Sequence, residues 1–202
     1  MFDRALRPLV DPPLDRLAAV AVSVGVSANA VTLAGFAVGM LALPALAAEA
    51  YGPALALILL NRIADGLDGA IARRVGPSAA GGFLDIALDF IFYAAVPLGF
   101  ALARPENAVA AAFLVFAFVG TGSAFLAYAA VAAGRAGRAA AAPGKAIAYL
   151  GGLTEGSETI LFFTLICLFP TAFVPLAYGF GALCCITTLF RLVAGWQSLR
   201  RP

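Results

Sequence analysis

Long apolar stretches separated by short polar turns run through most of this chain. Hydrophobic residues make up 63% of its 202 residues and charged residues only 12%, whereas about a quarter of the residues in a soluble domain are charged. A helix needs about 20 mostly apolar residues to cross the hydrocarbon core of a bilayer. The sequence therefore predicts an all-α, polytopic membrane protein.

Turn and cap signals divide the chain into six predicted transmembrane helices within a single membrane-embedded domain, residues 1–202. The bundle occupies residues 27–202, and its predicted spans are 27–48, 54–74, 79–103, 108–133, 155–169 and 172–196. Pro44 is expected to kink the first span. Glu155 and Glu158 are expected to cap the fifth.

Residues 1–26 are predicted to form an amphipathic interfacial segment that precedes the bundle. Asp11-Pro12-Pro13 has the composition of a helix start, since Asp can cap and Pro fits the first turn. Five residues then share one face of the helix: Leu14, Leu17, Ala18, Ala21 and Val22. We expect this helix to lie flat on the membrane surface.

The loop cations predict the orientation of the bundle, because cytoplasmic loops of membrane proteins are enriched in Lys and Arg. Among the predicted loops and termini, one side has only Arg104. The other side has Arg4, Arg7, Arg16, Arg73, Arg74, Arg135, Arg138, Lys145, Arg200 and Arg201. Both termini and the turn between spans two and three are therefore predicted to be cytoplasmic. The alanine-rich composition separately indicates a bacterial inner membrane.

Several classes of site are excluded by composition. The chain has no histidine, so an imidazole base and a His-containing zinc site are both absent. Its three cysteines lie in apolar stretches without metal-ligand spacing, and no disulfide is predicted. A net charge of +2 without a basic face argues against a nucleic-acid partner.

Four aspartates lie near one end of spans two and three, where each charged residue costs about 2.5–3.5 kcal/mol unless it finds a partner. Helical spacing places one stripe on span two and another on span three, and a short Gly/Pro turn brings the stripes together. The stripe on span two consists of Asp65, Asp68, Gly69, Ala72 and Arg73. The stripe on span three consists of Gly81, Asp85 and Asp89.

Converging carboxylates repel each other unless a multivalent cation joins them, and an all-oxygen site suits Mg²⁺ or Mn²⁺. Two such ions could bind a pyrophosphate while a carboxylate takes the proton of an incoming hydroxyl. Gly69, Ala72 and Gly81 would leave room for a bulky nucleotide, and Arg73 could pair with phosphate. The competing interpretation is that these Asp and Arg residues pair only to pack helices.

Residues 65–73, DGLDGAIAR, and residues 81–89, GGFLDIALD, resemble the signature DxxDGxxAR…GxxxDxxxD of the CDP-alcohol phosphotransferase family. The interval between Arg73 and Gly81 is one residue shorter than is usual in that family. Residues 27–32, SANAVT, resemble the family's PN-x-x-T segment, with Ala28 in place of Pro. The six-span layout is similar to the family fold.

The resemblance implies transfer of a phosphatidyl or related group from a CDP-linked lipid, first of all CDP-diacylglycerol, to a small alcohol, with release of CMP during phospholipid biosynthesis. It implies a divalent metal, a homodimer, and surrounding membrane lipids. By similarity, Asp65, Asp68, Asp85 and Asp89 hold metal and Asp89 is also the general base. The residues implied in CDP binding are Asp65, Asp68, Gly69, Ala72, Arg73 and Gly81.

The acceptor alcohol is less well defined by the sequence. Cations in the loop after span four and in span six could bind an acceptor phosphate, such as that of glycerol 3-phosphate. These cations are Arg135, Arg138, Lys145 and Arg191. Cations in a cytoplasmic loop are also expected from topology alone.

Three other functions remain open at this stage. An intramembrane prenyltransferase also binds pyrophosphate through aspartates and magnesium, but its motifs lie far apart in sequence. An ion transporter could use the aspartates as a cation site, although Gly69, Ala72 and Arg73 then have no role. An inactive member of the same family would keep the motif without turnover, and the intact Asp89 argues against it.

Overall fold

A computed structural model describes residues 3–136 and 153–200, which form eight α-helices and no strand. The helices are α1 (Asp3–Ser23), α2 (Ala28–Met40), α3 (Ala42–Ala47), α4 (Tyr51–Val75), α5 (Ala79–Ala103), α6 (Ala108–Ala136), α7 (Gly156–Leu168) and α8 (Phe173–Arg200). Single 3-10 turns, Pro105–Asn107 and Pro170–Ala172, precede α6 and α8. The predicted all-α class is confirmed.

Four helical segments of the described residues are long and apolar enough to cross a membrane. They are Ala28–Ala47, Ala79–Ala103, Pro105–Gly134 and Pro170–Arg200. Helix α7 is apolar but has 13 residues, and α4 carries several charged residues in its second half. Helices therefore occur at all six predicted places, but the count of six spans is not confirmed.

The predicted kink at Pro44 takes the form of a break between α2 and α3. Proline has no N–H to donate to the carbonyl four residues earlier, and its ring crowds that carbonyl. That carbonyl belongs to Met40, where α2 ends. The amide of Leu41 instead donates to the Val38 carbonyl at 3.2 Å, which closes a tighter turn.

Helix α1 begins at Asp3, eight residues before the start predicted at Asp11, and it contains Pro8, Pro12 and Pro13. It packs on α4. Ala18 is fully buried with Ala70 and Ile71, and Leu14 lies against this small cluster. Leu17, predicted on the same face, is instead exposed. One side of α1 therefore packs against α4, while another side exposes apolar side chains.

The turn between α4 and α5 positions the aspartates. Gly76 ends α4 with a φ of +98°, a conformation that only glycine adopts without strain. Ser78 then caps α5, because its hydroxyl accepts a hydrogen bond from the Gly81 amide at 3.0 Å. Beyond this turn α2 packs against both helices, and Phe92 and Phe100 of α5 are buried in the core together with Phe163 of α7.

Candidate active site

The four predicted aspartates line one small cavity between α2, α4 and α5. Asp65 and Asp68 project from α4, while Asp85 and Asp89 project from α5. The cavity holds about 20 Å³, which is close to the space of one water molecule or ion. The convergence predicted from helical spacing is therefore present in the fold.

Arg62, which the sequence analysis left without a role, is also part of this cavity. Its Nη2 donates to Oδ1 of Asp89 at 2.6 Å, and its Nη1 lies 3.7 Å from Oδ2 of Asp65. The same Nη1 donates to the Tyr93 hydroxyl at 3.2 Å. Only 7% of the Arg62 side chain is exposed, so one buried guanidinium joins two of the four aspartates.

Asn61 and Thr32 complete the polar lining. The Asn61 side chain accepts from Nε of Arg62 at 2.8 Å and donates to the Gly35 carbonyl at 2.9 Å. The Thr32 hydroxyl donates to Oδ2 of Asp68 at 2.5 Å. Because Thr32 belongs to the SANAVT segment, that segment reaches the aspartates directly.

The carboxylate oxygens that line this cavity are suitable ligands for a divalent cation. Four carboxylates face a single buried cation, Arg62, and oxygen-only ligands are those that Mg²⁺ and Mn²⁺ prefer. No three acidic side chains in the ranges 3–136 and 153–200 are already grouped around one ion position. Arg62 donates to one oxygen of Asp89, and Thr32 donates to one oxygen of Asp68.

A second cavity of about 360 Å³ adjoins the aspartates on the side of the α4–α5 turn. Among its lining residues are Gly69, Ala72 and Gly81, together with Asp68 and Asp85. The volume is within the range of small-molecule sites. A Cβ on Gly81 would approach Oδ1 of Asn29 to 2.8 Å, so packing also favours glycine there.

Arg73 does not line either cavity in this conformation. Its side chain is 61% exposed, and Nη2 lies 3.9 Å from Oδ1 of Asp15 on α1. Its Nη1 is 3.5 Å from the position that a Cβ on Gly69 would take. Arg73 therefore lies at the edge of the second cavity, beside Gly69.

A third cavity, also of about 360 Å³, lies on the other side of Asp65 and Asp89 and extends to Arg191 on α8. Nη1 of Arg191 donates to the Thr121 carbonyl at 3.1 Å. Its Nε is buried and has no hydrogen-bond partner among the described residues. A buried donor of this kind is costly unless something accepts from it.

The other predicted acceptor cations cannot be compared in the same way. Arg138 and Lys145 lie outside the described residues, and only the backbone of Arg135 is described, at the end of α6.

The predicted caps of α7 are confirmed. Oε2 of Glu158 accepts from the Glu155 amide at 3.2 Å, and the Glu155 side chain accepts in return from the Glu158 amide.

Sequence reasoning missed Asn61, Arg62, Thr32 and Tyr93 as parts of the polar site. One signal was available for Arg62, because a charged residue inside an apolar helix has a functional or structural partner by default. Its position three residues before Asp65 places both on one helix face. Nothing in the sequence marks Tyr93, whose contribution depends on how α4 and α5 meet.

Comparison with known families gives an independent result. Residues 25–194 match the sequence model of the CDP-alcohol phosphatidyltransferase family. This range contains all four aspartates and Arg191, and it leaves out only residues 1–24, which include the whole of α1, and residues 195–202 at the C-terminal end. The match is to the family that the signature at residues 65–89 resembles.

Two curated proteins are similar to this chain. The inner membrane protein YnjF of Escherichia coli is 54% identical over 201 residues, which cover 99% of this chain and 98% of that protein. The archaetidylinositol phosphate synthase of Pyrococcus horikoshii is 35% identical over 98 residues, which cover 48% of this chain and 52% of that protein.

Two solved structures share the fold, and both are of the phosphatidylinositol phosphate synthase of Mycobacterium tuberculosis. The structure with CDP-DAG bound has a TM-score of 0.70 at 21% identity, and the match covers 91% of this chain and 93% of that one. The structure in complex with manganese and citrate has a TM-score of 0.64 at 22% identity, with coverage of 91% and 88%.

Proposed function

The chain belongs to the CDP-alcohol phosphatidyltransferase family, and on that premise we propose that it transfers a phosphatidyl group from CDP-diacylglycerol to an alcohol that carries a phosphate. Family membership supports the coarser statement, transfer from a CDP-linked lipid to an alcohol. The finer proposal rests on the third cavity, which connects Asp89 with the unsatisfied Nε of Arg191. A phosphate at Arg191 would give that donor an acceptor.

The proposed acceptors share one chemical group. Glycerol 3-phosphate is the acceptor predicted from the sequence, and inositol phosphate is suggested by relatives named as phosphatidylinositol phosphate and archaetidylinositol phosphate synthases. Both present a hydroxyl and a phosphate a few bonds apart. Either could place its hydroxyl at Asp89 and its phosphate at Arg191 within one cavity of about 360 Å³.

The second cavity is the proposed donor site. Gly69, Ala72 and Gly81 leave open space beside Asp68 and Asp85, so the cytidine and pyrophosphate can approach the helix backbones. Arg73, at the edge of this cavity, would rotate from Asp15 toward the phosphates, since its present ion pair is exposed and weak. The acyl chains would remain in the bilayer beside the helices.

In the proposed reaction, the acceptor oxygen forms a bond to the phosphorus of the phosphatidyl group. The bond between that phosphorus and the oxygen bridging to CMP breaks, and CMP leaves with the electron pair. Asp89 takes the hydroxyl proton through one carboxylate oxygen. Because donor and acceptor cavities meet at the aspartates, the reacting groups are held on opposite sides of them.

Divalent ions, Mg²⁺ or Mn²⁺ and two in number as expected from the four converging carboxylates, would supply positive charge at the pyrophosphate. The residues proposed to hold them are Asp65, Asp68, Asp85 and Asp89, whose carboxylates line one cavity. Thr32 would orient Asp68 through its hydroxyl.

The protein is proposed to reside in a bacterial inner membrane, as does its relative YnjF by name. Its active site is proposed to face the cytoplasm together with both termini. The support is the distribution of loop cations, with Arg73 and Arg74 beside the α4–α5 turn and Arg104 on the opposite side.

The deciding experiment is CMP release by the purified protein in detergent with CDP-diacylglycerol and Mg²⁺ or Mn²⁺. The acceptors are glycerol 3-phosphate and inositol phosphate, with glycerol and inositol as their counterparts without phosphate and serine as an unrelated alcohol. We expect metal-dependent release with one phosphorylated acceptor only. Asp89→Asn should lower kcat by roughly 10²–10⁴-fold, the range of general-base catalysis.

Release with an alcohol that lacks phosphate would overturn the finer proposal and leave the family reaction in place. No release with any acceptor, from protein that remains folded and monodisperse, would contradict both. A purified Asp89→Asn protein with unchanged thermal unfolding shows that its loss of activity is chemical.

A further inference from the structure

Arg62 is buried beside the aspartates, yet the proposed reaction gives it no part. Its side chain is 7% exposed, and its guanidinium carbon lies 4.8 Å from the ring centroid of Phe92 and 5.1 Å from that of Tyr93. Removing an arginine from water costs several kcal/mol unless its hydrogen bonds are replaced. A residue kept there at such cost is expected to have a specific task.

Neutral groups hold the guanidinium on one side. The Asn61 carbonyl oxygen accepts from Nε at 2.8 Å and also from Nη2, and the Tyr93 hydroxyl accepts from Nη1 at 3.2 Å. Asn61 is itself fixed, because its amide donates to the Gly35 carbonyl at 2.9 Å. Neutral groups on α4 and α5 therefore help to fix the guanidinium, in addition to its contacts with Asp65 and Asp89.

On the other side, Arg62 contacts Asp89 through one oxygen only. Nη2 donates to Oδ1 at 2.6 Å, and Oδ2 of Asp89 has no hydrogen bond within residues 3–136 and 153–200. Asp89 lines the third cavity, where the acceptor is proposed to bind. One oxygen of the carboxylate is thus held and the other is left for a second partner.

We propose that Arg62 is a positioning residue for Asp89. It holds Oδ1 so that Oδ2 meets the acceptor hydroxyl, and its charge keeps Asp89 from being drawn into the metal centre as fully as the other three aspartates. This inference rests on the proposed function, since it takes Asp89 as the base. It assigns a role to a residue outside the family signature at residues 65–89.

A merely structural ion pair and a positioning residue differ in what their loss does to metal binding. If Arg62 only supports the fold, removing it damages the site, and metal binding and turnover fall together. If it positions Asp89, its removal frees two carboxylates from a cation within 4 Å, and a divalent ion then binds more tightly. Turnover falls nonetheless, because the base is no longer held.

The test measures Mn²⁺ affinity by calorimetry without substrate, and kcat and KM for the acceptor, in the wild-type protein, Arg62→Met and Arg62→Lys. For Arg62→Met we expect Mn²⁺ to bind roughly tenfold more tightly. We expect kcat to fall roughly 10–100-fold, with acceptor KM changed by less than about twofold. Arg62→Lys keeps the charge but loses the fork, so its Mn²⁺ affinity should stay near wild type while kcat is intermediate.

Arg104→Met is the matched control, because Arg104 also pairs with one carboxylate, Glu49, but at an exposed turn away from the aspartates. It should leave Mn²⁺ affinity and kcat unchanged. Weaker Mn²⁺ binding in Arg62→Met, or a folded Arg62→Met with full kcat, would overturn the inference and leave the proposed function standing. A folded wild-type protein that releases no CMP would overturn the proposed function, and the inference with it.

Discussion

At the scale of single residues, Arg191 is the feature on which the proposed phosphorylated acceptor depends. It is the predicted acceptor cation whose side chain is described, and it lies on the wall of the cavity that contains Asp89. One of its nitrogens already donates to Thr121, while Nε is buried without a partner among the described residues. A dianionic phosphate is the kind of group that would accept from it.

Replacing Arg191 with Gln should therefore raise the KM for a phosphorylated acceptor. A hydrogen bond to a charged group contributes about 1.5–3 kcal/mol, which corresponds to roughly a 10–100-fold loss in kcat/KM. The measurement is CMP release as a function of acceptor concentration. Arg200→Gln, on the exposed end of the same helix, is the control and should behave as wild type.

If Arg191→Gln leaves kcat/KM for the phosphorylated acceptor at the wild-type value, Arg191 does not bind the phosphate. A fall in kcat with unchanged KM would likewise place its effect on the chemical step. Either result would favour the remaining predicted acceptor cations, Arg135, Arg138 and Lys145, as the residues that bind the acceptor phosphate.

The sequence predicted that the four aspartates converge, as they do in the structure, because their arrangement depends only on helical spacing and one short turn. It could not predict the pairing of Arg62 with Asp89, since that contact depends on Tyr93 and Asn61 filling the other sides of the guanidinium. The partner of Asp68 was also hidden. Thr32 comes from a helix 36 positions earlier in the chain, and no local pattern links the two.

At the scale of helices, the crossing of α2 and α4 supports the polar site from behind. Gly39 faces Asn61 so closely that a Cβ would lie 2.7 Å from its Nδ2 and 2.8 Å from its Cβ and Cγ. Asn61 is buried and fixed by the Gly35 carbonyl. The two helices can therefore cross at this distance only because α2 has no side chain there.

Gly39→Ala should destabilise the protein by about 1–3 kcal/mol, the usual cost of an overpacked contact, and should also lower activity by displacing Asn61 from Arg62. Thermal unfolding in detergent and CMP release measure the two effects. Gly179→Ala is the matched control, since Gly179 is also in a helix but a Cβ there meets nothing within 4 Å. Equal Tm values for the two variants would show that α2 and α4 separate without cost.

Helix boundaries were predicted best where cap residues flank an apolar run. The third predicted span, 79–103, coincides with α5, which Ser78 caps. The start of α1 was predicted too late, because Pro12 and Pro13 resemble a first turn although the helix continues through them. The break between α2 and α3 follows from Pro44, but it lies about one turn before the proline, between Met40 and Ala42. The reason is that Pro44 leaves the carbonyl of Met40 without a donor, so the sequence marks the proline and not the residue where the helix breaks.

At the scale of the whole molecule, charge is distributed unequally between the two ends of the bundle. The α4–α5 turn carries Arg73 and Arg74, and Arg74 bonds to the Asp15 carbonyl of α1 at 3.0 Å. At the other end, Arg104 forms an ion pair with Glu49, which offsets its charge. Hydrogen bonding to Arg104 lowers the pKa of Glu49, so this pair remains ionised at neutral pH.

Two properties of the whole molecule remain predictions. The first is the count of six spans. In the described ranges, length and composition support four spans and a shorter apolar helix. The charged residues in the second half of α4 make that helix resemble one from a soluble protein. The homodimer implied by family resemblance depends on a second copy of the chain. A sequence reports such an interface only as exposed apolar residues, which every membrane-spanning helix also has.

The orientation can be tested with one cysteine at each end of the bundle. Val75→Cys places it beside the α4–α5 turn, and Glu106→Cys places it in the turn before α6, both at exposed positions. The native Cys167, Cys184 and Cys185 are replaced by Ala, because Cys185 is only partly buried. Since the proposed cytoplasmic end is the cation-rich one, a membrane-impermeant maleimide added to intact spheroplasts should label the Glu106→Cys variant and not the Val75→Cys variant.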